Sequence, residues 1–151
     1  MNHIDLNIST NDRKVHVLLS YYNGKKFIAR QVNSLLEQSH GKFEISIRDD
    51  ASTEPDTEQF LRLIQQQNPW KIDLHFNEKN QGYVKNFMTG LAGLKTAGPN
   101  DLFAFSDQDD IWHSNKLERA IDAVEKYNQD EPVLYCTLLR AGVFRQKNNG
   151  Y

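Results

Sequence analysis

Short apolar runs alternate along the chain with longer stretches whose apolar residues recur at helical spacing. "KVHVLLS" (14–20) is rich in β-branched residues and leucine and predicts a buried strand, which the Asn-Gly of "YYNGK" breaks with a turn. Between Lys25 and Ser39, Phe27, Ile28, Val32, Leu35 and Leu36 lie on one helical face, and His40-Gly41 ends the helix. "KFEISIR" (42–48) directs Phe43, Ile45 and Ile47 inward as a second strand. A helix over Asp56 to Gln67 carries Phe60, Leu61 and Ile64, and "KIDLHF" (71–76) alternates Ile72, Leu74 and Phe76 as a third strand. Val84, Phe87, Met88 and Leu91 mark the next helix, weakened by Gly90 and Gly93 unless a neighbour packs closely there. "LFAFS" (102–106) reads as a buried fourth strand. Ser114 is placed to cap a helix carrying Leu117, Ala120, Ile121 and Val124. "PVLYCTLL" (132–139) is a fifth strand candidate, with Cys136 as a small core residue. Strand and helix alternate throughout, which predicts a layered α/β domain with a largely parallel sheet over 14–139. A flexible arm (1–13) precedes it and an atypical tail (140–151) follows.

The chain has 151 residues, 38% of them hydrophobic, which suits one domain with a core. A net charge of −2 without a basic block argues against nucleic-acid binding driven by bulk electrostatics. One cysteine permits no internal disulfide and fits a reducing compartment. The N-terminal "MNHIDLNISTNDRK" has no apolar signal-peptide core, and no segment approaches the roughly 20 apolar residues of a membrane span. These features predict a cytoplasmic protein, and peripheral attachment to a membrane's inner face stays compatible with them.

Polar residues gather where the strands end. The first strand runs into Ser20-Tyr21-Tyr22-Asn23-Gly24 and the second into Asp49-Asp50-Ala51-Ser52. The third leads to Asn80-Gln81-Gly82 and the fourth into Asp107-Gln108-Asp109-Asp110. In a parallel sheet these ends share one edge, the edge where open α/β sheets bind ligands. Alone, Asp49-Asp50 reads more readily as a turn or cap than as a site. Three acids within four positions, by contrast, repel one another and exceed what capping requires. Such a density of oxygen ligands suits Mg²⁺ or Mn²⁺, and Mg²⁺ commonly completes its shell with water and phosphate oxygens. An EF-hand is rejected because Trp112 stands where that loop's sharp turn needs glycine. No P-loop, no GxGxxG after the first strand and no GxSxG elbow occurs.

The set "VLLSYYNGKKFIARQVNSLLEQSH", "EISIRDDAS", "NQGYVKNF" and "FAFSDQDDIWHSNKLE" resembles the family-two glycosyltransferases of the GT-A fold. Within that family it resembles the rhamnosyltransferase-like members that build bacterial surface polysaccharides. The likeness runs from about Val15 to about Tyr135, with four motifs in order. It implies a layered, Rossmann-like domain for a nucleotide-diphosphate sugar, usually of uridine or thymidine. It also implies that Ser20 and Tyr22 flank the base, the tyrosine ring stacking on it, and that Asp49, with Asp50 nearby, accepts from the pyrimidine N3. Lys85 is implied near the base or phosphates. Asp107 and Asp109 match the family's DxD pair, the first acid facing the ribose or metal shell and the last holding the metal, with Asp110 supporting them.

An inverting transfer in this family uses a carboxylate base downstream of the DxD segment. Here the last acid is Glu131, and "PVLYCTLLRAGVFRQKNNGY" contains none. The expectation is therefore a donor-binding portion of a larger enzyme, with the base for a glycan or lipid-linked acceptor outside this stretch. Two readings of different class follow: a metal-dependent transferase that as given binds donor without efficient transfer, and a non-catalytic nucleotide-sugar or partner-binding module. An aspartate-nucleophile phosphohydrolase is weaker, because its lysine and further acids are not clearly supplied in order.

Overall fold

The computed structural model describes residues 12–95, 97–127 and 131–137. Along the chain run β1 (Val15–Tyr21), α1 (Lys25–Leu36), β2 (Phe43–Asp49), α2 (Thr57–Gln67), β3 (Ile72–Phe76), α3 (Tyr83–Gly93), β4 (Leu102–Asp107) and α4 (Lys116–Val124). All strand pairs are parallel, in the order β3-β2-β1-β4. Parallel neighbours need a crossover, and α1, α2 and α3 each follow one strand and precede the next.

One face of the sheet is apolar. Val15, Val17, Leu19 and Tyr21 of β1 and Ile45 and Ile47 of β2 meet Ile28, Val32 and Leu35 of α1 and Leu61 of α2 in one buried cluster. Alternation along each strand sends the intervening residues to the other face, which is largely polar: His16, Ser20, Ser46 and Arg48. There α3 packs through Asn86 and Gly90, its two buried residues. A Cβ on Gly90 would come 2.7 Å from Arg48 Cδ and 3.2 Å from Leu18 Cδ2, so glycine lets the helix approach the sheet. The expected apolar stripe of α3 is not its buried side. Val84 is 57% and Met88 49% exposed, because the face that receives this helix is polar and selects Asn86 instead.

His16 is buried, its Nδ1 2.6 Å from Glu44 Oε1 and its Nε2 2.7 Å from Asp101 Oδ2, with its ring stacked on Phe103. One side chain thereby ties β1 to β2 and to the turn before β4. At the start of the described chain, Asp12 pairs with Lys42 and Arg13 with Glu125, fixing the last two residues of the expected arm. Residues 1–11 lie outside the described set.

Three other expectations change. Residues 131–137 form no strand, Cys136 is exposed rather than in a core, and residues 138 and 139 of the expected fifth strand lie outside the described set. A strand needs a ladder partner, and among the described residues β4 pairs with β1 alone. That makes β4 an edge, with Phe103 and Phe105 partly in solvent rather than buried. Ser114 does not cap α4. Asn115 is the N-cap and makes no side-chain cap bond, and Gln38 from the end of α1 accepts from Leu117 N at 3.0 Å instead. No helix among the described residues is long and apolar enough to cross a membrane.

Candidate functional site

The register of the sheet brings the strand ends together. Tyr21 lies opposite Asp49 on one side of β1, and Ser20 lies opposite Asp107 on the other. With neighbouring strands about 4.8 Å apart, the backbones at Asp49 and Asp107 are about 10 Å apart. Backbone strain gathers on the same edge: Asn23, Ala51 and Asp56 have φ of 47°, 59° and 56°. Asn23 sustains its turn by joining two loops. Its Oδ1 accepts from Thr53 N and Glu54 N, at 2.8 and 3.1 Å, and its own N–H donates to Ser52 Oγ at 2.9 Å.

The two acids after β2 have separate tasks. Asp50 is 2% exposed and accepts three hydrogen bonds, from Gln81 N (2.9 Å), Gly82 N (2.8 Å) and Asn77 Nδ2 (2.9 Å). It fixes the loop that leads into α3. Asp49 Oδ1 accepts from Ser52 Oγ at 2.5 Å and Ser52 N at 3.1 Å. Burial pushes the Asp49 carboxyl above its ordinary range despite those two bonds, and the charges of Asp50 and Glu58 push the same way.

Behind Asp50 runs a chain of amides that the sequence reading missed. Asn77 Nδ2 also donates to Asn86 Oδ1 at 2.9 Å, and the fully buried Asn86 donates to Ser20 Oγ at 2.9 Å and Arg48 O at 3.0 Å. Ser20 is thus engaged from the α3 side while sitting next to Asp107. Tyr22 is 42% exposed, its ring available at the rim. Lys85 is exposed in the first turn of α3. Amides near turns carry no periodic signal, so nothing in the sequence singled out Asn77 and Asn86.

After β4 the picture is different. Asp107 and Asp109 are exposed and Asp110 is half-buried. Burial raises the Asp107 carboxyl above its ordinary range, and the negative charges of Asp110 and Asp109 raise it further. Lys116, whose ammonium lies 4.0 Å from the Trp112 ring centroid, is depressed by burial, and the charge of Asp110 opposes that shift. Among the described residues no three His, Cys, Asp or Glu side chains converge to hold a metal ion. Asp107, Asp109 and Asp110 therefore do not form a closed three-carboxylate cage. The donor set, two exposed carboxylates carrying unmet mutual repulsion, fits a cation that takes one or two protein oxygens and completes its shell from a ligand.

The loop is held from behind: Gln31 Nε2 donates to Ser106 Oγ at 2.7 Å, and Ser34 Oγ accepts from Trp112 N at 3.0 Å. A cavity of about 490 Å³ on the α3 face, bordered by Ser46, Arg48, Lys71 and His75, includes none of the site residues expected from the sequence.

Residues 16–137 match the family described as Glycosyl transferase family 2. The chain is 36% identical over 112 residues to an uncharacterized glycosyltransferase of Nostoc sp., an alignment covering 74% of this chain and 33% of the relative. It is 35% identical over 107 residues to a dTDP-rhamnosyl transferase of Shigella flexneri, covering 70% of this chain and 36% of the relative. The solved structure of S. aureus TarS 1-349 in complex with UDP superposes with a TM-score of 0.59 at 28% identity, over 75% of this chain and 32% of that one. The aligned stretch thus spans about a third of the length of these relatives. The parallel sheet, the strand-end acids and a match over residues 16–137 agree: the chain belongs to glycosyl transferase family 2, with the GT-A fold.

Proposed function

We propose that this domain binds a pyrimidine nucleoside diphosphate sugar together with Mg²⁺ or Mn²⁺, as the donor-binding part of a glycosyltransferase in cell-surface polysaccharide synthesis. The observation that carries the reading is the register at the end of β1, with Asp49 opposite Tyr21 on one side and Asp107 opposite Ser20 on the other. A base stacked on the Tyr22 ring lies within reach of Asp49, whose Oδ1 is engaged by Ser52, leaving Oδ2 to accept from the pyrimidine N3. Asp50 builds the loop under that pocket and is withdrawn from the ligand, since both its oxygens are occupied. Lys85, exposed at the start of α3, offers its ammonium toward the phosphates. Asp107 and Asp109 are the residues that hold the cation, and Asp110 supports their loop. When bound, the cation offsets negative charge developing on the diphosphate as the sugar bond breaks. A relative 31% identical over 117 residues, named as a glucosyltransferase acting on a diphosphoundecaprenol-linked sugar, supports a lipid-linked glycan acceptor.

Calorimetry with UDP and dTDP, in Mn²⁺ and then in chelator, tests the reading. The expected result is binding that tightens with the metal. Equal affinity in both conditions overturns the role given to Asp107 and Asp109.

A further inference from the structure

Gln108, between the two acids, turns its side chain to the loop after β1. Its carboxamide pairs with the backbone of Tyr22: Oε1 accepts from Tyr22 N at 2.9 Å and Nε2 donates to Tyr22 O at 3.0 Å. The backbone ladder between β1 and β4 ends at Ser20 opposite Asp107. The Gln108 side chain supplies a further pairing beyond that point, as a strand backbone would. Room for it comes from Gly24. A Cβ there would lie 2.2 Å from Gln108 Oε1 and 2.4 Å from Cδ. Gly24 has φ −116°, which any residue adopts, so the backbone does not demand glycine. The space taken by the amide does.

We propose that Gln108 is a positioning residue that couples the two halves of the donor site. It fixes the loop bearing Asp107 and Asp109 against the loop bearing Tyr22 while touching neither nucleotide nor metal. The inference rests on the donor-binding reading above. Gln108 contributes no charge and adds nothing to the repulsion among its neighbours. An isosteric glutamate would lose the N–H donor, set an anion against the Tyr22 carbonyl and add a fourth charge to the cluster. With the clamp intact, a nucleotide held at Tyr22 presents its diphosphate to carboxylates already in register. Without it, each subsite keeps its own chemistry and their relative placement is lost.

The test measures UDP affinity in Mn²⁺ and in chelator for the wild-type chain, Gln108→Ala, Gly24→Ala, the double variant and Gly41→Ala as control. Nothing lies within 4 Å of a Cβ at Gly41. The expected result is a metal-dependent gain reduced about tenfold by Gln108→Ala, with affinity in chelator little changed, a size ordinary for coupling between sites. Gly24→Ala should reduce the gain similarly, Gly41→Ala should leave it intact, and the double variant should be no worse than Gln108→Ala, because removing the amide vacates the space the new methyl needs. A purely structural role would lower the melting temperature and leave the metal-dependent gain unchanged, which overturns the proposal. Additive losses in the double variant overturn it too. If Gln108→Ala fails to fold, a full gain in Gly24→Ala still refutes the clamp. A wild-type chain that does not bind UDP removes the donor-binding reading itself, one that binds without a metal-dependent gain removes the role of Asp107 and Asp109, and this inference falls with either.

Discussion

Aspartates leave the sheet at two strand ends on either side of β1, and their surroundings differ. After β2, Asp50 is buried and receives two backbone N–H groups and one amide, while Asp49 is closed on one oxygen by Ser52. After β4, Asp107 and Asp109 are exposed, and the part of Asp107 that is buried, with the charges of Asp110 and Asp109, raises its carboxyl pKa. Identical residue types at equivalent topological positions thus divide between building the loops and presenting charge. The division follows the supply of donors. Ser52 in the turn after β2, and Gln81 and Gly82 in the loop after β3, aim N–H groups at Asp49 and Asp50. Behind β4, the donors of Gln31 and Gln108 are directed to Ser106 and Tyr22 instead.

The contrast predicts opposite responses to mutation. Asp50→Ala strands three donors in a buried site and should cost about 3–5 kcal/mol of folding stability, read from urea denaturation midpoints. A loss below about 1 kcal/mol would mean the loop does not depend on this carboxylate. Asp109→Ala should leave stability within about 0.5 kcal/mol of wild type while abolishing the effect of Mn²⁺ on UDP binding. A large drop in stability would place Asp109 with the builders.

The smallest effect is on the pH dependence. Asp107 has a raised folded-state pKa, so its charge opposes folding above the unfolded value of 3.8, and that penalty is relieved as pH falls through the raised value. Glu44 and Asp101 behave in the opposite sense. Burial alone would raise both, yet Lys14 and His16 hold Glu44 low, and His16 with the Gly98 N–H holds Asp101 low. Their contribution is present above the ordinary values of 4.5 and 3.8 and is lost as pH falls through the depressed ones. Asp107→Asn should therefore raise the urea midpoint at neutral pH and Glu44→Gln should lower it, both differences shrinking below about pH 4. Shifts of the same sign in the two variants would refute the assignment.

Much of the architecture was legible because it is written in apolar periodicity. Ile45 and Ile47 in one strand, and Ile28, Val32 and Leu35 in one helix, announce a shared buried face, and they share one. α3 misled because periodicity reports where apolar residues recur, and the sheet face that receives this helix is polar. Asn86 and Gly90 were chosen by hydrogen bonding and close approach. The described part of "PVLYCTLL", residues 132–137, misled for a related reason: β-propensity says that a segment would suit a ladder and cannot supply the partner. At the site, the grouping of strand-end acids was readable from topology. The separation of Asp49 from Asp50, and the clamp made by Gln108, depend on which way single side chains turn, and a lone sequence does not encode that in any repeat.

The position of β4 at the margin of the sheet has a mechanical meaning. Among the described residues its backbone is gripped on one flank, so the segment that follows behaves as a cantilever rooted in β1 and α1. Among the described residues no strand pairs with the other flank, so the loop is braced toward that root and not away from it. Compliance of the anionic loop is therefore directional.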